Sequence, residues 1–277
     1  MVDSPVDNPH RAGAVGADRP HHLGHLGMAD MKHLGILVPT RGRPGNVKRL
    51  IEACQYTCTT NWQLIFGLDT DDPTANTVRQ LAAEARAYVV TAPRMGLGPW
   101  TNYLWQEYHY DFTHFASLGD DHVPMTPGWD YDLIAATEKT GGGFAYCNNG
   151  HSNELPEMCV MSANVVDALG WVCEPSLNHY HVDTVWRDLG LAAGCLHHLP
   201  DVLIEHRHWA FEGGLAAHDE TDYDEQLQGP HDQQAYVRWQ EERQAADVEK
   251  VKTALQRGGE HGSGHHAAGR DRGNRDL

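Results

Sequence analysis

The stretch that decides the fold is GLGPWTNYLWQEYHYDFTHFASLGDDHVPMTPGWD, residues 96–130. Its first part has helical spacing over 99–107, and an apolar run over 112–118 then predicts a buried β-strand. The run leads into the doublet Asp120-Asp121, which His122 follows. Two adjacent carboxylates repel each other unless a cation or hydrogen-bond donors lie beside them, so the doublet indicates either a metal site or a solvated turn.

Short apolar runs alternate with amphipathic segments upstream of this stretch. The apolar runs at 34–38, 62–68 and 88–91 predict three further strands. The amphipathic segments at 46–54 and 75–86 predict helices between them. This β-α-β-α-β-α-β order predicts an α/β fold with a mostly parallel sheet and helices on both of its faces.

The residues that follow the predicted strands are the ones to inspect, because ligands bind beyond the carboxyl ends of the strands in such a sheet. They are Thr40-Arg41-Gly42-Arg43, Asp69-Thr70-Asp71-Asp72, the segment 94–98 and Asp120-Asp121-His122. Basic groups, carboxylates and glycines therefore converge on one edge of the predicted sheet. That combination suits a metal-bound ligand that carries phosphate groups.

These features together resemble one family. Gly96-Leu97, Asn102, the strand at 112–118, the acidic doublet and Pro127-Gly128-Trp129 occur in the order found in nucleotide-sugar glycosyltransferases of the GT-A fold, especially those of family 2. The opening VPTRGRP, residues 38–44, also resembles the first strand and nucleotide-binding turn of that family. Small bacterial and bacteriophage-encoded members are the most similar in size, which implies the cytoplasm of a bacterial cell, phage-infected or not.

The resemblance implies specific roles for the post-strand residues. It assigns donor binding to Pro39, Thr40, Arg41, Arg43, Asp69, Gly96, Leu97, Asn102 and Asp120, and binding of Mn²⁺ or Mg²⁺ to Asp121 with Asp120. The usual motif of the family is Asp-x-Asp, whereas here Gly119 stands at the extra carboxylate position and His122 follows the doublet. Which of Asp120 and Asp121 is the direct metal ligand therefore stays open.

The second half of the chain adds two elements. Asp183 precedes an apolar helical segment and resembles the catalytic carboxylate of the family, which takes the proton of the acceptor hydroxyl during inverting transfer; the alternative is a helix N-cap. An apolar strand beginning near 201 ends at His206-Arg207-His208, and a late histidine often completes the metal site in this fold. Either histidine could instead be a surface or core group.

The sequence thus predicts a metal-dependent, inverting glycosyltransferase that uses a nucleoside-diphosphate sugar. One alternative is a sugar-phosphate nucleotidyltransferase, although TRGRPGN only partly fits the Gly-rich loop of that class. Another is a non-catalytic nucleotide-sugar-binding module on the same fold. A further alternative is a zinc hydrolase that uses His206, His208 and Asp183, but the sequence lacks the His-Glu-x-x-His motif of such enzymes. The acceptor, whether protein, glycan or modified DNA base, and the oligomeric state stay open.

Composition and the chain ends bound these interpretations. The formal charge of −17 argues against general coating of nucleic acid, which requires surplus Lys and Arg. Without an apolar run of roughly 18 residues, the sequence predicts no membrane-spanning helix. The six cysteines stand singly and no signal-type apolar segment opens the chain, so we expect a cytoplasmic protein. Low-complexity ends predict disordered tails at 1–31 and 257–277, around a GT-A-like domain at 32–232 and a helix at 233–256.

Overall fold

A central sheet organises the chain in the computed structural model, which describes residues 33–152, 154–207 and 220–263. Within that part of the chain the sheet has eight strands, in the spatial order β3-β2-β1-β4-β7-β6-β8-β5. The strands are β1 His33–Thr40, β2 Asn61–Asp69, β3 Tyr88–Ala92, β4 His114–Ser117, β5 His122–Pro124, β6 Phe144–Asn148, β7 Cys159–Ser162 and β8 Leu196–His206. The tail predicted at 1–31 lies outside the described residues.

The helices connect these strands and cover the sheet. They are α1 Pro44–Thr57, α2 Ala75–Ala85, α3 Leu97–Tyr108, α4 Trp129–Glu138, α5 Ala163–Leu169, α6 Val182–Ala193, α7 Glu220–Glu242 and α8 Gln244–Ser263. The region predicted as one helix at 233–256 is therefore divided between two helices at Arg243. Helix α8 continues past 257, where the sequence predicts a tail, and residues 264–277 lie outside the described part of the chain.

The sheet is parallel in one half and mixed in the other. Strand β1 pairs in parallel with β2 and β4, and β2 pairs in parallel with β3, as the alternation of strands and helices predicts. Strand β7 is antiparallel to both β4 and β6, and β5 is antiparallel to β8. Strand β6 pairs in parallel with β8, so four of the seven pairings among the described strands are parallel. The predicted α/β class with a mostly parallel sheet is confirmed, and the antiparallel pairings of β7 and β5 are the part that the sequence does not predict.

Both faces of the sheet carry a hydrophobic core, which confirms the prediction of helices on both sides. Leu34, Ile36 and Val38 of β1 pack on one face with buried residues of α1, α2 and α4. Leu37 points to the other face, where α3, α5, α6 and α8 supply the core together with Trp239 of α7. The alternation along β1 is the two-residue period of a strand that is buried on both sides.

Among the described residues, no helix is both long enough and apolar enough to cross a membrane.

Candidate functional site

The carboxyl ends of β1 and β4 form the first part of the site. Asp120 follows β4 and is buried, and its carboxylate accepts hydrogen bonds from Thr40 Oγ1 at 2.6 Å and from Asn46 Nδ2 at 3.3 Å. Arg43 Nη1 lies 3.6 Å from the same carboxylate. Because β1 and β4 are parallel neighbours, their carboxyl ends meet, and Asp120 reaches the loop that follows β1.

Asp121 contacts a different set of partners, two histidines. Its Oδ1 is 3.4 Å from His122 Nδ1, and its Oδ2 is 3.5 Å from His206 Nε2. Each of the three residues offers one potential ligand atom, and these atoms lie within 4.8 Å of one another. We call Asp121, His122 and His206 the acidic-histidine cluster.

Strand pairing explains why the two histidines of the cluster meet although they are far apart in the chain. Strands β5 and β8 are antiparallel, and His122 is the register partner of His206. Their imidazole rings stack with centroids 4.3 Å apart and planes inclined by 9°. The Gly119 N–H donates a hydrogen bond to His122 Nδ1 at 2.9 Å and closes the turn between β4 and β5. His208, the other candidate ligand, lies outside the described residues.

The surroundings shift the pKa values of the two neighbouring carboxylates, Asp120 and Asp121, in opposite directions. Burial and the negative charge of Asp121 raise the pKa of Asp120 to about 6. Burial also opposes ionisation of Asp121, but hydrogen bonds and charge from His122 and His206 outweigh it and hold the pKa of Asp121 well below its ordinary range. Burial alone would lower the pKa of His206, yet hydrogen bonds to Asp121 and Glu157 raise it to about 9. Asp121 is therefore the more acidic of the two carboxylates.

A second carboxylate lies at the end of β2. Asp69 is buried, and its Oδ1 accepts a hydrogen bond from Trp100 Nε1 at 2.8 Å while its Oδ2 accepts one from Arg41 Nη1 at 3.1 Å. Arg41 also donates to Asp71 at 2.7 Å. These bonds hold the predicted base-binding carboxylate at the edge of the sheet and use one acceptor position on each of its oxygens. A carboxylate oxygen can accept a second hydrogen bond, so Asp69 keeps acceptor capacity.

The glycines before α3 allow a close approach between two backbone segments. Gly98 N–H donates to Asn178 O at 2.8 Å. A Cβ at Gly98 would lie 2.6 Å from Leu177 O, and one at Gly96 would lie 2.7 Å from Asn178 O. Only glycine permits these distances, so Gly96 and Gly98 place the start of α3 against the segment that leads to α6. Leu97, between them, is half-buried.

Asp183 lies in the first turn of α6. The N-cap of that helix is His181, which has a left-handed backbone (φ 66°), so Asp183 is not the N-cap that the sequence left as an alternative. Its Oδ1 accepts the Thr184 N–H at 2.7 Å. Burial raises the pKa of Asp183, and the negative charge of Glu157 adds to the shift, while Thr184 and His181 oppose it. Asp183 is thus within electrostatic range of Glu157, which itself contacts His206 at 2.7 Å.

Asn102 has a structural contact that the sequence does not predict. Its Nδ2 donates to Cys173 O at 2.7 Å, and its Oδ1 accepts the N–H groups of Val172 and Cys173, both at 2.9 Å. The side chain thus binds the segment 172–173 to α3, although the resemblance assigns it to the donor. Pro39 is half-buried at the end of β1, beside Thr40.

Two residues of the site are absent from the sequence-based assignment. The sequence analysis names His122 among the residues that follow the strands and as a departure from the family motif, but assigns it no role, although its Asp-x-His spacing from Asp120 was the available signal. Glu157 gives no local signal, because its contact with His206 depends on how the segment between β6 and β7 folds.

Comparisons with known proteins bear on the fold. No protein-family model matches the sequence, and a search of curated proteins also finds no match. The structure is similar to that of S. aureus TarS 1–349, with a TM-score of 0.51 and 12% identity over 83% of this chain and 92% of that chain. It is similar to TarS 1–349 in complex with UDP at a TM-score of 0.50 and 9% identity, where the match covers 62% of this chain and only 59% of that chain.

A third similar structure is the mannosyltransferase PcManGT from Pyrobaculum calidifontis, in complex with GDP-Man and Mn²⁺. Its TM-score is 0.52 at 11% identity, over 86% of this chain and 76% of that chain. The chain has the GT-A fold. The similarity that the sequence predicts is thereby confirmed at the level of the fold.

The GT-A fold raises the question of whether the acidic-histidine cluster suits a divalent cation. One carboxylate and two imidazoles are suitable ligands for such a cation, and their three potential ligand atoms lie within 4.8 Å of one another. His122 Nε2 is buried and has no hydrogen-bond partner among the described residues, and a cation bound there would require the ring proton to leave Nε2 because Nδ1 accepts the Gly119 N–H. Burial also lowers the pKa of His122, which favours the neutral ring that metal binding requires. The residues present therefore fit a cation.

Proposed function

We propose that this protein is a metal-dependent glycosyltransferase that moves a sugar from a nucleoside-diphosphate sugar to an acceptor hydroxyl, with inversion at the anomeric carbon. The observation that carries the proposal is the acidic-histidine cluster at the carboxyl edge of a GT-A sheet, beside Asp120 and the loop after β1. The UDP held by TarS 1–349 and the GDP-Man and Mn²⁺ held by PcManGT support this choice of donor and ion.

The nucleoside half of the donor binds across the ends of β1 and β2. Asp69 accepts a hydrogen bond from a base N–H, and the Trp100 and Arg41 contacts keep its carboxylate in one orientation. Asp120 accepts from a ribose hydroxyl, since its other contacts already point it toward Thr40 and the first loop.

The diphosphate half lies over the acidic-histidine cluster. Asp121, His122 and His206 would hold a divalent cation, which would supply positive charge to stabilise the departing diphosphate. Two imidazoles in the ligand set favour a transition-metal ion such as Mn²⁺ over Mg²⁺, which prefers oxygen ligands. Arg43, whose guanidinium is near Asp120, adds charge of the same sign at the nucleotide side.

Asp183 acts as the general base. As the acceptor oxygen bonds to the anomeric carbon, the bond from that carbon to the diphosphate oxygen breaks, and the hydroxyl proton passes to the Asp183 carboxylate. A single displacement of this kind inverts the anomeric configuration. The raised pKa of Asp183 suits this role, because a base accepts a proton more readily when its pKa approaches the working pH.

The experiment is a donor panel. The full chain is incubated with UDP-sugars and GDP-mannose in the presence of Mn²⁺, Mg²⁺ or EDTA, and release of UDP or GDP is measured. We expect release with Mn²⁺, its loss with EDTA, and a decrease of at least about 100-fold in Asp121→Ala. Asp132→Ala is the matched control, because Asp132 is exposed in the first turn of α4.

Three outcomes contradict the proposal. Turnover in Asp121→Ala equal to wild type, or release that EDTA does not change, removes the metal from the reaction. Pyrophosphate release from UTP plus a sugar phosphate, with no reaction of any nucleotide-sugar, indicates a nucleotidyltransferase. Calorimetric binding of a nucleotide-sugar without release of UDP or GDP under any condition indicates a binding module.

A further inference from the structure

The segment between β6 and β7 contacts both the backbone and the ring of His206. The backbone N–H of His206 donates to the backbone carbonyl of Asn149 at 3.0 Å, and His151 Nε2 contacts the backbone carbonyl of His206 at 3.1 Å. Near the other end of the segment, Glu157 Oε2 lies 2.7 Å from His206 Nδ1. Backbone and ring of this one histidine are therefore held from three positions on a connection whose described residues contribute no ligand to the cluster.

The two nitrogens of the His206 ring face different carboxylates. Nδ1 is at hydrogen-bond distance from Glu157, whereas Nε2 points to Asp121 at 3.5 Å. A cation would displace the Nε2 proton of the His206 ring, and the neutral imidazole that results has one N–H and one lone pair. A carboxylate that accepts the Nδ1–H therefore leaves the Nε2 lone pair for the cation. The Glu157 side chain is only 20% exposed, so solvent screens this contact less than it would screen a pair of exposed side chains.

We propose that Glu157 is a positioning residue for the metal site: it fixes the tautomer and the ring orientation of His206 so that Nε2 faces the cation. The inference rests on the proposed function, because the cation is the one that function requires. Glu157 acts through His206 and contacts neither the cation nor the donor. Its removal leaves the ligands in place but lets the ring rotate and change tautomer, which weakens metal binding.

The test measures Mn²⁺ binding to the full chain directly, by electron paramagnetic resonance of free Mn²⁺ and by calorimetry, without donor or acceptor. We expect Glu157→Ala to raise the Kd for Mn²⁺ by about 10- to 100-fold. Glu157→Gln keeps a carbonyl oxygen that accepts the Nδ1–H, so it should recover most of that loss. Glu154→Ala is the matched control, since Glu154 is an exposed carboxylate of the same segment.

A double-mutant cycle separates positioning from a general effect of charge. In the His206→Ala background, Glu157→Ala should change the Kd for Mn²⁺ by less than about twofold, because the ring on which it acts is gone. Additive losses in that cycle, equal losses in the Gln and Ala variants, or an equal loss in Glu154→Ala overturn the inference. So does a Glu157→Ala variant that binds Mn²⁺ as wild type does.

Failure of the inference and failure of the proposed function are distinguishable. If wild type does not bind Mn²⁺, the proposed function fails and the inference fails with it. If wild type binds Mn²⁺ and all Glu157 variants bind equally well, the inference alone is wrong. The melting temperature of each variant without metal shows whether the fold is intact, so a Glu157→Ala variant that fails to fold is replaced by the Gln variant, in the His206→Ala cycle as well.

Discussion

Adjacent residues in this site have different chemistry because their side chains reach different parts of the fold. Asp120 is bound to Thr40 and Asn46, and burial with the charge of Asp121 raises its pKa to about 6. Asp121 faces two imidazoles, and its pKa lies well below the ordinary range despite burial. The acidic doublet thus separates into a carboxylate directed at Thr40 and Asn46 and one directed at the cluster.

Asp183→Asn tests the proposed base at the residue scale. We expect the turnover number to fall by at least about 100-fold, because the amide cannot accept the proton. The fold should persist, since the amide oxygen can still accept the Thr184 N–H. The exposed Asp167 on α5 supplies the control variant Asp167→Asn, which should keep wild-type turnover. Undiminished turnover in Asp183→Asn means that the base is another group.

The difference in melting temperature between Asp183→Asn and wild type should change with pH in a direction that follows from the pKa of Asp183. Burial, with the charge of Glu157, raises the folded-state pKa of Asp183, while Thr184 and His181 oppose the shift and Arg187 lies within range of its charge. The folded state therefore binds this proton more tightly than the unfolded state, and stability from this group decreases as pH rises through the raised pKa. The melting temperature of Asp183→Asn relative to wild type should increase across that interval.

At the scale of elements, short contacts between helices and loops set the positions of the site residues. Antiparallel pairing of β5 with β8 brings His122 opposite His206. The start of α3 lies against the segment 177–178 through Gly98. The same helix is bound to the segment 172–173 by Asn102. Helix α3 therefore holds the connection between α5 and α6 from two points, and Asp183 follows that connection directly.

Asn102→Ala distinguishes a structural role from the donor-binding role that the family resemblance implies. Loss of its hydrogen bonds leaves backbone groups at 172–173 unpaired, so we expect the free energy of unfolding to fall by about 2–4 kcal/mol. The Michaelis constant for the donor, measured well below the melting temperature, should stay unchanged. Asn76→Ala, at an exposed position of α2, is the control. An unchanged melting temperature with a tenfold higher Michaelis constant indicates donor binding instead.

On the scale of the whole molecule, helix α7 near the C-terminus binds the segment that precedes Asp183. The Asp232 carboxylate on α7 is fully buried and accepts the N–H groups of Asn178, His179 and Tyr180, at 3.0, 2.8 and 2.9 Å. Burial would raise the pKa of Asp232, but His231 and these backbone donors outweigh it and lower the pKa. The fold thus couples a helix near the C-terminus to the segment that precedes Asp183.

Asp232→Asn should destabilise the whole fold in a pH-dependent way. The lowered folded-state pKa means that the stabilisation is complete above the ordinary value of 3.8 and is lost as pH falls below it. We expect a melting temperature several degrees below wild type at neutral pH and a difference that shrinks in strong acid. Asp201→Asn, at an exposed position of β8, is the control. A difference that grows on acidification contradicts this account.

Much of the fold and part of the site follow from local pattern. The strands β1 to β4 and the helices between them are readable because each apolar run alternates with a helix of clear period, and parallel strands align their carboxyl ends. The division of the C-terminal region into α7 and α8 at Arg243 is not readable in that way. It depends on tertiary packing, in which the Trp239 indole donates to Asp247 across the junction at 3.1 Å.

The amino-acid sequence by itself determined that Thr40, Asp69 and the acidic doublet meet at one edge, because successive parallel strands leave no other arrangement of their ends. The sequence offered His206 and His208 as candidate ligands, and only the tertiary structure decided that His122 and His206 join Asp121 and that Glu157 contacts His206. Their meeting depends on pairing between a short strand and a distant one and on the path of a connecting segment. Such contacts arise from packing of elements remote in the chain, so no local periodicity encodes them.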